Sequence, residues 1–259
     1  MAASRLCEHV HLVGSLGRDA IGAALADFLR QERLHLDHLR TTAEHPTGVA
    51  LITVNENAEN SIVVVSGSNY QLWPADVADV ELSAEDVVVS VFEIRQETIK
   101  ALFTRARQAG ARTILNPAPA AEFIPGLLPL VDILVVNETE LATFVGDGAV
   151  SREIGAIQEY ARRWRAAPEQ AVVVTLGAEG VVGVRGDKTI RLPGREVVAV
   201  DTTGAGDGFT GALAVGLLEG RPFAAALQFA NVAASLCVQK VGAAKSMPVR
   251  HEVDRVLAV

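Results

Sequence analysis

The chain has 259 residues, 49% of them hydrophobic, a length and composition that suit one large domain, or two small ones, with an aliphatic α/β core. Its formal net charge of -8, without any basic stripe, argues against a nucleic-acid partner, and the lack of a membrane-length apolar run or a signal peptide argues against a membrane partner. The two cysteines, Cys7 and Cys237, lie far apart in apolar surroundings, which favours reduced thiols in a cytoplasmic protein.

The first part of the chain predicts a β-α unit followed by a hairpin. Residues 10–13 favour a strand, and residues 19–33 favour an amphipathic helix with Asp19 in its first turn. Apolar and polar residues alternate from Val49 to Val54 and from Ser61 to Val65, and the residues between these runs are polar turn formers. This pattern predicts a hairpin rather than a crossover.

The spacing of the histidines along the sequence does not indicate a metal site. The six histidines include no pair at metal-ligand spacing within a helix. His9 and His11 alternate with apolar residues, as on one face of a strand. The sequence therefore predicts no zinc site.

From residue 87 onward the chain alternates strands with helices. The predicted strands are 87–91, 113–115, 133–136, 171–174, 181–184, 189–192 and 197–200. The predicted helices are 98–109, 154–164, 205–219, 222–239 and a short one after Pro248. This alternation predicts a mostly parallel sheet covered on both faces, with an antiparallel edge where two strands follow each other directly. Without an internal repeat or a linker, residues 1–259 are expected to form a single domain.

The most informative stretch is a glycine-rich turn at residues 201–213, Asp-Thr-Thr-Gly-Ala-Gly-Asp-Gly-Phe-Thr-Gly-Ala-Leu. Its glycines permit a sharp bend and close approach to a ligand, and the free amides that begin the next helix favour an anion. Asp207 at the mouth of this site suits either a helix cap or a catalytic base. Residues 206–211 also match a dinucleotide fingerprint, but no acidic residue closes a second strand about 20 residues later.

Three other segments have ordinary structural explanations. Asn137 and Glu140 have the spacing of a capping box, which satisfies free amides at a helix start. Residues 175–180 alone suggest a turn between strands. The segment 240–248 suggests the end of one helix at Gly242 and the start of another at Pro248. Local sequence leaves these interpretations open.

Asp201-Thr202-Thr203-Gly204-Ala205-Gly206-Asp207, followed by a helix of small residues, resembles the C-terminal signature of the ribokinase (PfkB-type) carbohydrate kinases. The resemblance extends from Val10 to Val253, and the segments 116–119 and 47–50 point to ribokinases within the family. It implies a three-layer α/β sandwich with a mostly parallel central sheet, antiparallel edge strands and a partial β lid at about 47–66. It also implies ATP-dependent phosphorylation of the primary hydroxyl of a pentose, with D-ribose favoured, and use of Mg²⁺ and K⁺.

The resemblance also implies roles for individual residues of this chain. Asp207 would be the base, the amides of Gly204, Ala205 and Gly206 would stabilise the transferred phosphoryl group, and Glu93 with Asp207 would bind the sugar. Nucleotide contacts would come from Asn137, Thr175, Leu176, Gly177, Ala178, Glu179, Gly180, Gly206, Asp207 and Asn231. Glu140 would act on Mg²⁺ through water, and K⁺ would be held by Asp201, Thr203, Cys237, Lys240, Gly242 and Ser246. Of these last residues, Cys237, Lys240 and Gly242 would offer backbone carbonyls, since a thiol or ammonium does not suit a hard cation.

The resemblance lacks the beginning of the family pattern. Family members start with a strand ending in a sugar-binding aspartate, then lid strands, then a Gly-Gly-x-Gly-x-Asn segment, whereas Met1 here falls within the helix that follows. The phosphate half of the site is thus expected, with most of the sugar half missing and a homodimer through the lid if the lid is complete. The alternatives are a catalytically impaired nucleotide-binding remnant and a related kinase for another sugar or a nucleoside.

Overall fold

The computed structural model describes residues 1–54, 60–146, 151 and 153–258. The helices are α1 (Ala2–Leu6), α2 (Ala20–Gln31), α3 (Gln96–Ala109), α4 (Glu138–Val145), α5 (Ile154–Trp164), α6 (Ala205–Leu218), α7 (Phe223–Cys237) and α8 (Arg250–Leu257). The strands are β1 (Gly14–Gly17), β2 (Leu39–Thr42), β3 (Val49–Val54), β4 (Asn60–Val65), β5 (Val87–Val91), β6 (Arg112–Asn116), β7 (Ile133–Asn137), β8 (Ala171–Thr175), β9 (Val181–Arg185) and β10 (Lys188–Leu192). Among the described helices, none is long and apolar enough to cross a bilayer.

A six-stranded sheet forms the centre of the protein, in the order β10-β9-β8-β7-β6-β5. Strands β5 to β8 pair in parallel, while β9 pairs antiparallel with β8 and β10 antiparallel with β9. Parallel strands need a crossover helix, whereas β8, β9 and β10 follow one another through short connections. The predicted mostly parallel sheet with an antiparallel edge is confirmed.

Helices cover both faces of this sheet. On β7, Ile133 and Val135 pack in the core cluster formed with α6, α7 and α8. Leu134 and Val136 pack in a second cluster with α3, α4 and α5. Strands buried on both faces show continuous apolar runs instead of alternation, as here. The three-layer α/β sandwich predicted from the sequence is confirmed.

Two small sheets stand apart from the central one. Strands β1 and β2 pair in parallel, and β3 and β4 pair as an antiparallel hairpin. The hairpin carries exposed Leu51, Val63 and Val64. The predicted hairpin is therefore present, while its predicted turn, apart from Asn60 at the start of β4, lies outside the described residues.

The structure corrects three local predictions. Residues 197–200 form no strand, because the amides of Val200 and Asp201 bond the carbonyl of Val238 at the end of α7 instead of a neighbouring strand. The first strand is β1 rather than residues 10–13, where only His11 forms a single bridge, with His35. Strand β2 was not predicted. β1 is rich in glycine, and at Gly17 a Cβ would lie 2.3 Å from the amide nitrogen of Thr47, so close packing selects a residue that strand patterns disfavour.

Candidate active site

The parallel strands bring several polar residues to one edge of the sheet. Asn116, Asn137 and Thr175 are the last residues of β6, β7 and β8, and Glu93 follows β5 by two positions. The carboxyl ends of parallel strands face the same side, which is where open α/β sheets bind ligands. The side-chain amide of Asn116 donates to the carbonyl of Val135 at 2.8 Å, which fixes it at this edge.

The glycine-rich turn begins α6 at the same edge. Gly204 precedes the helix in the left-handed region with φ of 76°, and the amide of Gly208 donates to its carbonyl at 2.8 Å. The amide of Ala205 donates to the carbonyl of Thr202 at 3.2 Å, whereas the amides of Gly206 and Asp207 form no backbone hydrogen bond within the described chain. Unpaired amides at the positive end of a helix dipole suit an anion.

Asp207 faces a cavity of about 1080 Å³ that is also lined by Glu93, Asn116 and Met1. Loss of hydration raises the pKa of the Asp207 carboxyl, and the nearby α-ammonium of Met1 partly opposes this. Burial likewise raises the pKa of Glu93, and the negative charge of Asp207 raises it further. A carboxylate with a raised pKa is a better proton acceptor, so the surroundings of Asp207 suit general base catalysis.

Glu140 lies near the same charge. Its carboxylate accepts from the amide of Asn137 at 2.9 Å, and the amide of Glu140 donates to the side-chain oxygen of Asn137 at 2.7 Å. The capping box that the sequence suggested is therefore present. Burial raises the pKa of Glu140, hydrogen bonds from Asn137 and Asn116 oppose this, and the charge of Asp207 adds to the rise. The carboxylates of Glu140 and Asp207 both lose hydration, and neither forms an ion pair in the described chain, which suits a hard divalent cation.

The segment after β8 packs tightly on the loop after β10. Gly180 adopts φ of 97°, and a Cβ there would lie 2.1 Å from the carbonyl oxygen of Leu192. The side-chain amide of Asn231 on α7 donates to the carbonyl of Pro193 at 2.8 Å. The structure therefore brings residues 177–180 and Asn231 to one loop, 193–194, that the sequence did not single out. The sequence gives no signal for this loop, because it becomes apparent only through the close backbone contact between the segments that contain Gly180 and Gly194.

Side chains in the segment 175–180 differ in what they can contact. Leu176 is 2% exposed and packs in the core with α4 and α5, so only its backbone can face a ligand. Gly177, Ala178 and Glu179 form a short, exposed 3-10 turn. Thr175 is half-buried, and its hydroxyl is 3.4 Å from the carbonyl of Val136.

The segments predicted to hold a monovalent cation lie against each other. Asp201 accepts from the amide of Thr203 at 2.9 Å and from the amide of Gly242 at 2.8 Å. The side chain of Thr203 lowers the pKa of Asp201 most, and these two amides lower it further. The thiol of Cys237 lies 2.9 Å from the hydroxyl of Ser246. The ammonium of Lys240 is paired with Glu252 at 2.8 Å, which leaves its backbone carbonyl as the group with which it could bind a cation.

Known proteins are similar to this chain over nearly its whole length. The profile of the pfkB family carbohydrate kinases matches residues 1–250. The chain is 35% identical to a ribokinase of Haemophilus influenzae over 254 residues, covering 97% of this chain and 82% of the relative. It is 34% identical to a ribokinase of Bacillus subtilis over 260 residues, covering 100% and 85%.

Solved structures agree with the sequence relatives. The structure of Arabidopsis thaliana ribokinase complexed with ribose and ATP matches with a TM-score of 0.90 at 32% identity, covering 100% of this chain and 85% of that chain. A ribokinase of Cryptococcus neoformans var. grubii in complex with ADP matches with a TM-score of 0.85 at 27% identity, covering 98% and 85%. The resemblance stated from the glycine-rich turn is thereby confirmed, and the chain belongs to the pfkB family of carbohydrate kinases.

Proposed function

We propose that this protein transfers the γ-phosphoryl group of ATP to the primary hydroxyl of D-ribose, giving ribose 5-phosphate and ADP. The observation that carries the proposal is the position of Asp207, in the first turn of α6 beside two unpaired amides and in one cavity with Glu93. Relatives named ribokinase, one of them complexed with ribose and ATP, support the choice of substrates.

The residues divide the chemistry among them. Asp207 accepts the proton as the sugar oxygen forms its bond to the γ-phosphorus and the bond from that phosphorus to the β-γ bridging oxygen breaks. The amides of Gly204, Gly206 and Asp207 stabilise negative charge on the transferred group, and Glu93 positions the sugar. The amide of Ala205, which the resemblance also implied, is instead bonded to the carbonyl of Thr202. Positioning and electrostatics supply most of the catalysis in phosphoryl transfer.

The nucleotide lies, in this proposal, along residues 175–180 with Asn137 and Asn231 at its margins. This placement is supported by the contacts that residues 177–180 and Asn231 both make with the loop at residues 193–194. Glu140 holds Mg²⁺ through water, and the ion, when bound, neutralises phosphate charge. The segments around Asp201 and Gly242 hold K⁺, which would fix the backbone of the anion site.

The cellular setting is part of the proposal. The net charge of -8 supports a protein without a nucleic-acid partner, and the reduced cysteines support a cytoplasmic location. The exposed apolar residues of the β3–β4 hairpin support a homodimer formed through that lid.

A second candidate function is nucleotide binding with little turnover. It is favoured by the cavity wall that β5 forms, because four of the five residues of that strand, all lining the cavity, are valines and only Ser90 offers a hydroxyl. A sugar needs several hydrogen bonds to present its hydroxyl in line with a phosphate, and losing them costs orders of magnitude in rate.

A substitution at Asp207 tests the proposal. Asp207→Asn should lower the rate of ADP release with ribose by roughly 10²- to 10⁴-fold, while ATP affinity measured by calorimetry stays within a few-fold, because the acceptor is removed and the amides remain. Asp187→Asn, in the turn between β9 and β10 at the opposite end of β8, is the matched control.

Three outcomes are informative. A parent protein that turns over ribose and loses this activity in Asp207→Asn supports the kinase. Activity of Asp207→Asn within a few-fold of the parent would show that Asp207 is only a helix cap. ATP binding by the parent with no ribose-dependent ADP release would favour the second candidate.

A further inference from the structure

Two segments that precede β1 and β2 lie side by side and place two histidines opposite each other. The amide of Leu12 donates to the carbonyl of His35 at 2.9 Å, and the amide of His35 donates to the carbonyl of Val10 at 2.9 Å. This parallel bridge pairs His11 with His35. Paired residues on adjacent strands project their side chains to the same face. Their rings stack with centroids 4.6 Å apart and an interplanar angle of 18°.

A carboxylate completes the group. Asp37 follows His35 by two positions and so lies on the same face of the strand-like segment. One ligand atom from each of His11, His35 and Asp37 lies within 4.8 Å of the other two. All three residues are exposed, and within the described chain none of their side chains has a recorded hydrogen bond or ion pair. Metal binding would therefore break no side-chain hydrogen bond or ion pair there, and would replace the stacking of the His11 and His35 rings with bonds to the ion.

We propose that His11, His35 and Asp37 bind a divalent transition-metal ion, with Zn²⁺ favoured and a fourth position left to water or to His9. The ring of His9 stacks on that of His35 at 6.4 Å, which puts it in reach. Two imidazoles and one carboxylate with an open position form a common zinc set. Ligand atoms in a tetrahedral zinc site lie roughly 3.3 Å apart, given bonds of about 2.0–2.2 Å. All three side chains are exposed, so the two rings are free to turn out of their stack and direct one nitrogen each at the ion.

The site is chemically distinct from the Mg²⁺ site of the proposed kinase. Imidazole suits Zn²⁺, Cu²⁺ or Ni²⁺, whereas Mg²⁺ prefers oxygen ligands and keeps its water. His11 and Asp37 line the same large cavity as Asp207, so the ion would join the two segments that form this wall. The ligands come from segments on either side of α2, which explains why histidine spacing along the sequence predicted no zinc site.

Calorimetric titration of Zn²⁺ into the metal-free full chain tests the site. One equivalent should bind tightly and resist excess Mg²⁺, and Co²⁺ bound in its place should show the visible absorption of a four-coordinate ion. His11→Gln and His35→Gln should each lower the affinity by at least about 10-fold. The double variant should lose the site. His251→Gln, an exposed histidine on α8, should bind as the parent does.

Thermal melts check that the variants fold. In a chelator, the double variant should melt as the parent does, because both side chains are exposed, and Zn²⁺ should raise the melting temperature of the parent alone. Tight Zn²⁺ binding by the double variant, equal loss in His251→Gln, or loss on Cys7→Ser without loss on His35→Gln would each overturn the assignment. Neither measurement depends on kinase activity.

Discussion

The two glycines at the start of α6 should respond in opposite ways to the same added methyl group. Gly204 has φ of 76°, and a Cβ there would lie 3.0 Å from the Cα of Ala243 and 3.1 Å from its Cβ. Gly206 has an ordinary φ, and a Cβ there would meet no atom within 4 Å. The empty space beside Gly206 adjoins the unpaired amides, which is where the anion is proposed to lie.

The expected stabilities follow from these contacts. A left-handed conformation costs an L-residue about 1–2 kcal/mol. Since 1 kcal/mol shifts the melting temperature of a domain this large by about 2–4 °C, Gly204→Ala should melt roughly 2–8 °C lower. Alanine is favoured over glycine within a helix by up to about 1 kcal/mol, so Gly206→Ala should melt at the parent temperature or up to about 4 °C higher.

The more stable of the two variants, Gly206→Ala, is nevertheless expected to lose activity. Gly206→Ala should lose on the order of 10-fold or more in kcat/KM for ATP, because its methyl group displaces the phosphate from the amides, and a shift of about 1 Å can cost 10²-fold. Coupled ADP release and calorimetric titration of ATP, at a temperature where both variants are folded, measure this. Gly206→Ala that keeps the parent rate and ATP affinity would refute the placement of the anion at these amides.

Three further predictions concern conditions and ligands. Because hydration loss raises the pKa of Asp207 and only its ionised form accepts a proton, turnover should fall as the pH is lowered through a value above the usual aspartate range; an acidic limb within the usual range would contradict this. K⁺ should activate and Na⁺ should do so poorly, because the segments around Asp201 and Gly242 pack together, and equal initial rates in either salt would rule this out. ATP should bind while ribose binds weakly, because the cavity wall formed by β5 carries four valines and only one hydroxyl, that of Ser90; calorimetric affinity for ribose comparable to that for ATP would show that other residues hold the sugar.

Sequence patterns were most accurate where burial imposes a period. The bounds of α5 match the prediction, since an amphipathic helix leaves a strong periodic signal, and the β-branched run of β5 was also bounded correctly although β5 is the half-exposed edge strand of the sheet. The apolar run at residues 197–200 leaves a similar signal, yet Val198 and Val200 are 82% and 58% exposed. Among the described residues no strand pairs with that run, and the availability of a partner strand is a tertiary property that a local pattern cannot contain.

The sequence pointed to the parts of the candidate site that lie in one continuous motif. It did not point to the parts that are formed by segments distant from one another in the sequence. Residues 201–207 form one uninterrupted motif, so the sequence alone pointed to an anion site. The loop at Pro193 and Gly194 became apparent only through its contacts with Gly180 and Asn231. The pairing of His11 with His35 likewise depends on a bridge between distant segments.

Helix α6 has a sharp internal boundary that hydrogen exchange can detect. Nine of its fourteen residues, from Gly208 onward, are buried, so opening that part exposes much apolar surface and its amides should exchange only through near-global unfolding. The amides of Gly206 and Asp207, the two residues immediately before Gly208, have no backbone partner in the described part of the chain and should exchange early. Protection gained there on adding nucleotide would report occupancy of the anion site residue by residue, even in a variant that performs no chemistry.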